Sequence, residues 1–279
     1  MPQKVGSLSK TLSKNMSLSK VDKAVMISLK NRFLYTPLPK VANSSIKHLI
    51  YRMETFHSPE KIRDAAIHDI NYGPVIRPSM LGFDSELLKE ALFSREFFRF
   101  TLVRNPYARA LSNYLDRYHS PNSTVRKQIG QVATEFGLQK VSNEPLGFSD
   151  YLFCLKHIPQ RRQDIHLLSQ VTYGLFDLLD YDFVGSFERI EQDLATVAKR
   201  IWDKDNVSLG FQSPSRTNAA SKLRSAYSDK QVALINEIYA KDFHTFGYTM
   251  LTNAEDLSDP DALLRDTSVT PAPSAQPAG

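Results

Sequence analysis

Two short segments hold most of the residues able to do chemistry in this chain. One is Pro39-Lys40-Val41-Ala42-Asn43-Ser44-Ser45-Ile46-Lys47; the other is Val103-Arg104-Asn105-Pro106-Tyr107-Ala108-Arg109-Ala110-Leu111-Ser112-Asn113-Tyr114. Each follows an apolar, strand-like run that ends in a cation, and each then takes on helical character. A strand that hands over to a helix N-terminus offers backbone N–H groups and the positive end of the helix dipole to an anion. Two such places, loaded with Lys, Arg and Ser, predict a ligand with two separate phosphate-like groups. At the first, Lys40 stands beside the amide and hydroxyls of Asn43, Ser44 and Ser45. At the second, Arg104 offers a planar fork for bidentate binding, and Ser112 adds a directed donor two helical turns on. Arg109 either joins them or pairs with an acid on the helix surface. Residues 36–47 contain no glycine, so the first segment is not the G-x-x-x-x-G-K-[ST] loop of nucleoside triphosphatases. Without glycine it is expected to wrap one phosphate but not a triphosphate chain.

The elements that must position these segments are legible in outline. Residues 32–39 read as a first strand closed by two prolines, and 44–56 as a helix with Ile46, Leu49, Ile50 and Met53 on one face. Residues 97–103 form a short aromatic and β-branched run of the buried kind. Asn105-Pro106 supplies an N-cap and a first-turn proline, which predicts a helix to about Tyr118. A strand over 181–187 precedes a helix over 188–202, and Ser228-Asp229-Lys230-Gln231 is a capping box opening a helix to about Phe243. Residues 119–146 show no clear period. Strands alternating with helices argue for an α/β fold, with a central, mainly parallel sheet flanked by helices. Ligands of such sheets sit at the carboxyl ends of the strands.

The 279 residues suit one well-buried domain, expected over 31–251. No apolar run is long enough to span a bilayer, and the first thirty residues lack the core of a signal peptide. Cys154 is the only cysteine, which excludes an intramolecular disulfide and a thiolate metal cage. The net charge of +5 is uneven: residues 1–30 carry six lysines against Asp22, and residues 252–279 carry five acids against Arg265. The basic head, 1–30, is expected to be a flexible arm able to touch an acidic membrane surface. The Pro/Ala-rich tail, 252–279, is expected to be disordered. The mildly basic body suits an anionic ligand and falls short of a nucleic-acid stripe, so no nucleic-acid partner is expected.

Four segments in order resemble the sulfotransferases that use 3′-phosphoadenosine-5′-phosphosulfate (PAPS), especially the carbohydrate sulfotransferase branch, known as sulfotransferase family 2. Residues 39–47 are similar to that family's 5′-phosphosulfate loop, P-K-V-A/G-C-T-N-W-K. Residues 103–114 resemble its 3′-phosphate motif, V-R-[DH]-P-F-E-R-L-x-S-A-Y. Residues 181–188 look like Y-D-F-I-G-K-x-E, and residues 242–248 like D-F-x-x-F-G-Y. The resemblance implies a P-loop-like three-layer fold and PAPS as donor, with its bisphosphate product and no metal demanded. It implies that Lys40, Val41, Ala42, Asn43, Ser44, Ser45 and Lys47 hold the 5′-phosphosulfate and that Arg104 and Ser112 hold the 3′-phosphate. Asn218 lies in a polar loop with Arg216, Thr217 and Lys222 that matches a nucleotide-closing region only loosely. Ile46 stands where the family has tryptophan, Asn43 and Ser45 where it has Cys and Asn, and Ala108 where it has an acid.

The implied reaction is in-line sulfuryl transfer to an acceptor hydroxyl, with Lys40 stabilising charge on the bridging oxygen and a general base taking the proton. His68, between the two motifs, and His166, in a segment resembling the family's acceptor-side H-W-x-P-Q, are the candidate catalytic bases; Glu54 and Glu188 are alternatives. The resemblance favours a glycan acceptor. Two other functions compete: a P-loop-type kinase or phosphotransferase, and a non-catalytic nucleotide- or RNA-binding module. With no anchor ahead of the domain, a bacterial-type cytoplasmic location is expected ahead of the Golgi lumen.

Overall fold

The computed structural model describes residues 7–55, 75–138, 144–205 and 219–269. Where one domain is expected, these residues divide into two compact units. One is drawn from Met1–Val103 and Val171–Gln212, the other from Arg104–Gln170 and Ser213–Pro271.

The first unit is built on a five-stranded sheet: β1 (Met26–Ser28), β2 (Phe33–Thr36), β3 (Val75–Ile76), β4 (Phe98–Val103) and β5 (Phe183–Ser186), in the order β3-β1-β2-β4-β5. β2, β4 and β5 run parallel, with Thr36 opposite Thr101 and Val103 opposite Ser186, while β1 runs antiparallel to both its neighbours. All four residues of β2 are buried, so both faces of the sheet are covered there. Tyr35 stacks on Phe100 across the β2–β4 pair, their ring centroids 5.0 Å apart. Rings of this kind each contribute roughly 1.5–3 kcal/mol of burial energy. Arg99 and Asp182 close the start of the β4–β5 pair with a 3.2 Å ion pair. The α/β expectation with a mainly parallel central sheet stands.

The helix Asn43–Glu54 follows β2 and buries Ile46, Leu49 and Ile50 at the spacing seen in the sequence. Its end is fastened by Glu54, whose Oε2 accepts from Ser28 Oγ (2.7 Å) and whose Oε1 accepts from Asn31 Nδ2 (2.6 Å) and Trp202 Nε1 (2.7 Å). A carboxylate buried at 4% exposure and satisfied by three neutral donors is a structural tie, which corrects its candidacy as a base. Gly185 in β5 is required by close approach, since a Cβ there would lie 2.9 Å from Asp193 Cβ on the helix Ile190–Trp202. The Asp193 carboxylate uses that approach to accept from Ser186 N at 2.6 Å.

The basic head is not a flexible arm over its described part. It forms helices Leu8–Leu12 and Leu18–Ala24 and strand β1, with Leu8, Leu12, Met16 and Val21 buried and Lys10, Lys14 and Lys23 exposed between them. Ser9 donates to both oxygens of Asp84, at 2.8 Å from its N–H and 2.9 Å from its hydroxyl.

The second unit is helical. The helix Pro106–Asn113 is buried along its whole length and runs into a π-helical turn, Tyr114–Tyr118. Around them lie the helices Thr124–Glu135, Phe148–His157, Ala219–Ala226, Asp229–Ile238 and Ala240–Phe246. The long final helix expected from the capping box is two helices broken at Tyr239, whose φ of −115° leaves the helical range. Gly247 takes φ +70°, and a Cβ there would meet Asp266 O at 2.7 Å. The segment after residue 251 is thus laid on the fold: Asp266 N donates to Gly247 O at 2.8 Å, Tyr248 bridges Arg265, and Leu257 is buried. That corrects the expected disorder as far as Val269.

Candidate functional site

The first junction leaves β2 at Thr36 and enters its helix at Asn43. Leu38 N donates to Thr36 O at 3.0 Å, turning the chain sharply. Lys40 then takes φ +69° and Ala42 φ +48°, both left-handed. For residues with a Cβ this conformation costs about 1–3 kcal/mol each, and it persists only where its surroundings enforce it. The chain therefore follows, without glycine, a path that glycine would favour, contrary to the expectation. Ala42 occupies the N-cap position and has no side chain with which to cap, so the helix start is not closed by its own cap. Asn43 reaches back to Pro37 O at 3.4 Å, while its buried Oδ1 has no hydrogen-bond partner among the described residues. Val41 and Ile46, the latter at the motif position where the resembled family has tryptophan, are 1% and 0% exposed. Any contact Val41 makes with an anion is through its backbone.

Lys47, one helical turn in, is 5% exposed. Burial, aided by the nearby Arg77 charge, lowers its ammonium from 10.5 to about 8. A buried cation held in this condition is relieved by an anion placed beside it.

The second junction leaves β4 at Val103 and is built differently. Asn105 Oδ1 accepts from Tyr107 N (3.0 Å) and Ala108 N (3.5 Å), and Pro106 has no N–H. The helix thus caps itself, and its N-terminus is not the anion site the sequence suggested. What remains there are side chains: Arg104 and Ser112, 4% and 3% exposed. The backbone of Arg104 is gripped at both polar atoms by one amide. Arg104 N donates to Gln170 Oε1 at 2.8 Å, and Gln170 Nε2 donates to Arg104 O at 2.9 Å. Gln170 is itself fixed where its N–H meets Asp242 Oδ2 at 2.9 Å. Asp242 opens the segment 242–248 that resembles the family's closing motif, and both residues are fully buried. Neither the Gln170 clamp nor the role of Asp242 has a spacing that sequence reasoning could read.

Arg109 is not on the helix surface, where pairing with an acid was the alternative expected of it. Buried at 2% exposure, it donates to Leu168 O at 2.8 Å and lies over the Tyr239 ring at 5.7 Å. Its longer contact to His166 O (3.4 Å) is reinforced by Asn113 Nδ2 at 3.2 Å. His166 Nδ1 stands 2.6 Å from Asp164 Oδ1, and His166 N donates to the same oxygen at 3.0 Å. Burial pushes the Asp164 carboxyl up, but the hydrogen bonds from His166 and the charges of His166 and Arg117 bring it below the usual value. Of the other candidates, His68 and Asn218 lie outside the described residues, with Arg216 and Thr217. Lys222 is exposed on its helix, and Glu188 sits half-buried in the turn Phe187–Arg189.

The sulfotransferase family profile matches residues 23–249. Carbohydrate sulfotransferase 14 of Danio rerio is 26% identical over 72% of this chain, which spans 53% of that relative's length. Carbohydrate sulfotransferase 10 of Xenopus laevis is 26% identical over 84% of the chain and 71% of its own length, and the Homo sapiens protein of that name 25% over 84% and 70%. No solved structure gives a significant match. These relatives correct the expected cytoplasmic, bacterial-type location. They are vertebrate carbohydrate sulfotransferases, a group of Golgi enzymes, and point away from the cytoplasm. Among the described residues no helix is long and apolar enough to cross a membrane. With the matched span running from the head through both junctions to the closing segment, the chain belongs to the sulfotransferase family.

Proposed function

We propose that the chain moves a sulfuryl group from PAPS to a hydroxyl of a carbohydrate acceptor. The reading is carried by one observation: the two motif segments leave adjacent, parallel strands, β2 and β4, at their carboxyl ends. The loop 37–42 and the helix start hold the 5′-phosphosulfate. Lys40 is the cation beside it, Ser44 and Ser45 are hydroxyl donors, the backbone of 41–43 supplies N–H groups, and Lys47 is the buried charge at its back. Arg104 and Ser112 hold the 3′-phosphate, with Asn218, outside the described residues, as a further binding residue. The donor set fits this substrate: Lys40 with the Ser44 and Ser45 hydroxyls at one junction, Arg104 with the Ser112 hydroxyl at the other.

Lys40 meets the negative charge that develops on the bridging oxygen as the sulfur–oxygen bond breaks. A fixed cation there contributes more in the transition state than in the ground state. Most of the remaining catalysis is positioning, as in phosphoryl transfer. The acceptor's proton goes to a histidine, His68 or His166.

The test is transfer of labelled sulfate from PAPS to a panel of polysaccharides, run beside a thermal-shift comparison. Adenosine 3′,5′-bisphosphate at about 100 times its Kd is expected to stabilise the fold by about 2.7 kcal/mol, a rise of roughly 5–10 °C in Tm. ATP with Mg²⁺ is expected to do much less. Stabilisation by ATP alone, with no sulfate transfer, would instead support a kinase.

A further inference from the structure

We infer that residues 252–269 form a strap that sets how tightly the second junction holds its phosphate, acting through Asn105 as a positioning residue. The strap lies beyond the residues 23–249 that the family profile matches. The inference rests on the reading of Arg104 and Ser112 as the 3′-phosphate site and adds to that site a part outside the motifs.

The strap is rooted on the helix that carries Ser112. Leu251 N donates to the Tyr107 hydroxyl at 2.8 Å, and Leu251 O accepts from Asn236 Nδ2 at 2.8 Å. The Tyr107 hydroxyl donates in turn to Asn236 Oδ1, so one tyrosine–asparagine pair holds both polar backbone atoms of Leu251. Tyr107 stands in the first turn of the helix Pro106–Asn113 and is fully buried. Past this root, Ala254 N donates to Asp229 Oδ1 at 2.7 Å, Glu255 pairs with Arg224, and Ala254 and Leu257 are buried. The chain then returns to its own start, where Asp266 N reaches Gly247 O and Tyr248 bridges Arg265. That closure depends on glycine, since a Cβ at 247 would stand 2.7 Å from Asp266 O and 2.9 Å from Val269 Cβ.

The closed strap presents one carbonyl to the junction: Leu263 O accepts from Asn105 Nδ2 at 3.1 Å. Asn105 is 0% exposed, and its amide does two jobs. Oδ1 caps the helix through Tyr107 N and Ala108 N, while Nδ2 holds the strap. Aspartate, one of the two residues at this place in the resembled motif, caps as well but has no proton to give a carbonyl when ionised. Asparagine serves the cap and the strap together.

Arg104 is thereby held from two directions. Gln170 grips its backbone N–H and C=O, and the strap holds the side chain of the residue that follows it. A binding group fixed before its ligand arrives loses less freedom on binding, and that saving is what the strap adds to affinity. The Arg104 guanidinium makes the contact to the phosphate; Asn105 places it.

The experiment uses the full chain, with Asn105→Ser and Gly247→Ala beside wild type. Asn105→Ser keeps a capping oxygen but lacks the amide that reaches Leu263 O. Gly247→Ala forces the strap away at its closure and alters neither Asn105 nor Arg104. Titration calorimetry measures adenosine 3′,5′-bisphosphate and adenosine 5′-phosphosulfate, which lacks the 3′-phosphate, and hydrogen exchange follows the Leu251, Ala254 and Asp266 amides. Each variant is expected to weaken the bisphosphate about 5-fold, the loss of one hydrogen bond, and to leave the phosphosulfate unchanged. The KM for PAPS is expected to rise by the same factor while kcat holds. Coupling between sites is reciprocal, so bisphosphate bound to wild type is expected to slow exchange at those three amides, and phosphosulfate is not. That comparison needs no variant and decides the matter if Gly247→Ala does not fold. Equal weakening of both nucleotides would make the strap merely structural and overturn the inference. So would unchanged bisphosphate affinity in both variants, or strap amides whose exchange ignores the bisphosphate. Wild type that binds neither nucleotide would sink the donor reading itself, and the inference with it.

Discussion

The two strand-to-helix junctions carry similar sequences and solve the same problem in opposite ways. At the first, Lys40 and Ala42 are driven to φ +69° and +48°, and no capping side chain closes the helix. At the second, Asn105 caps the helix with its own Oδ1, Pro106 removes another N–H, and the backbone carries no left-handed residue. The first junction offers backbone and strain to a ligand; the second offers side chains on a relaxed frame. The difference teaches what a strand–turn–helix motif does not say by itself. An uncapped helix start leaves N–H groups that an anion could take, and a capped one has already spent them. A group undergoing chemistry is better served by the first, because fixed dipoles cost no reorganisation as charge develops. A phosphate that only anchors is well served by the second.

The sharpest break in this comparison is Lys40→Ala. It is expected to lower kcat about 10²–10³-fold while changing bisphosphate affinity far less, since its cation acts where charge develops. An equal loss in KM alone would make the first junction an anchor like the second. Next is Gln170→Ala, which leaves both backbone polar atoms of Arg104 without their buried partner. A destabilisation of about 2–3 kcal/mol is expected in urea denaturation, together with weaker bisphosphate binding.

Lys47→Met probes the cation behind the first junction. Because folding depresses that amine to about 8 from 10.5, the unfolded chain binds more protons between those values. Stability of the unliganded wild type should therefore rise with pH across about 8 to 10.5, and the full penalty is present below 8. The Met variant is expected to lose that slope, to be more stable at pH 7 by on the order of 2 kcal/mol, and to bind the bisphosphate more weakly.

The smallest effects separate the two frames directly. Asn105→Ala should cost about 1 kcal/mol through loss of the cap. Ala42→Gly should stabilise by about 0.5 kcal/mol through relief of the left-handed residue. Matching signs at the two positions would dissolve the contrast.

Much of this was legible in the residues because buried parallel strands are continuous apolar runs. β2, β4 and β5 and the helices that follow β2 and β4 sit within a few residues of where the patterns put them. The N-terminal helices escaped because Leu8, Leu12 and Met16 are single apolar residues spaced among Ser and Lys, a composition that reads as solvated. β1, at three residues, is too short to show a period. Among the residues proposed for the site, Lys40, Arg104, Ser112 and His166 announce themselves by residue type and motif. Gln170 and Asp242 fall inside matched segments, but their pairing with each other and with Arg104 is not written in any spacing, and the buried carboxylate Glu54 has the sequence of a surface residue. Their partners are 23 to 148 residues away in the chain. The backbone strain at Lys40 was also hidden, because the missing glycines argued against it.

The central claim is that the junctions take opposite ends of one donor, and a ligand-by-mutation cycle tests it most directly. Titration calorimetry would compare wild type and Arg104→Ala with two nucleotides: adenosine 3′,5′-bisphosphate and adenosine 5′-phosphosulfate, which lacks the 3′-phosphate. The account expects Arg104→Ala to weaken the bisphosphate about 30-fold, the loss of a charge-assisted contact worth roughly 2 kcal/mol, and to leave the phosphosulfate unchanged. Equal weakening of both nucleotides, or of neither, would contradict it.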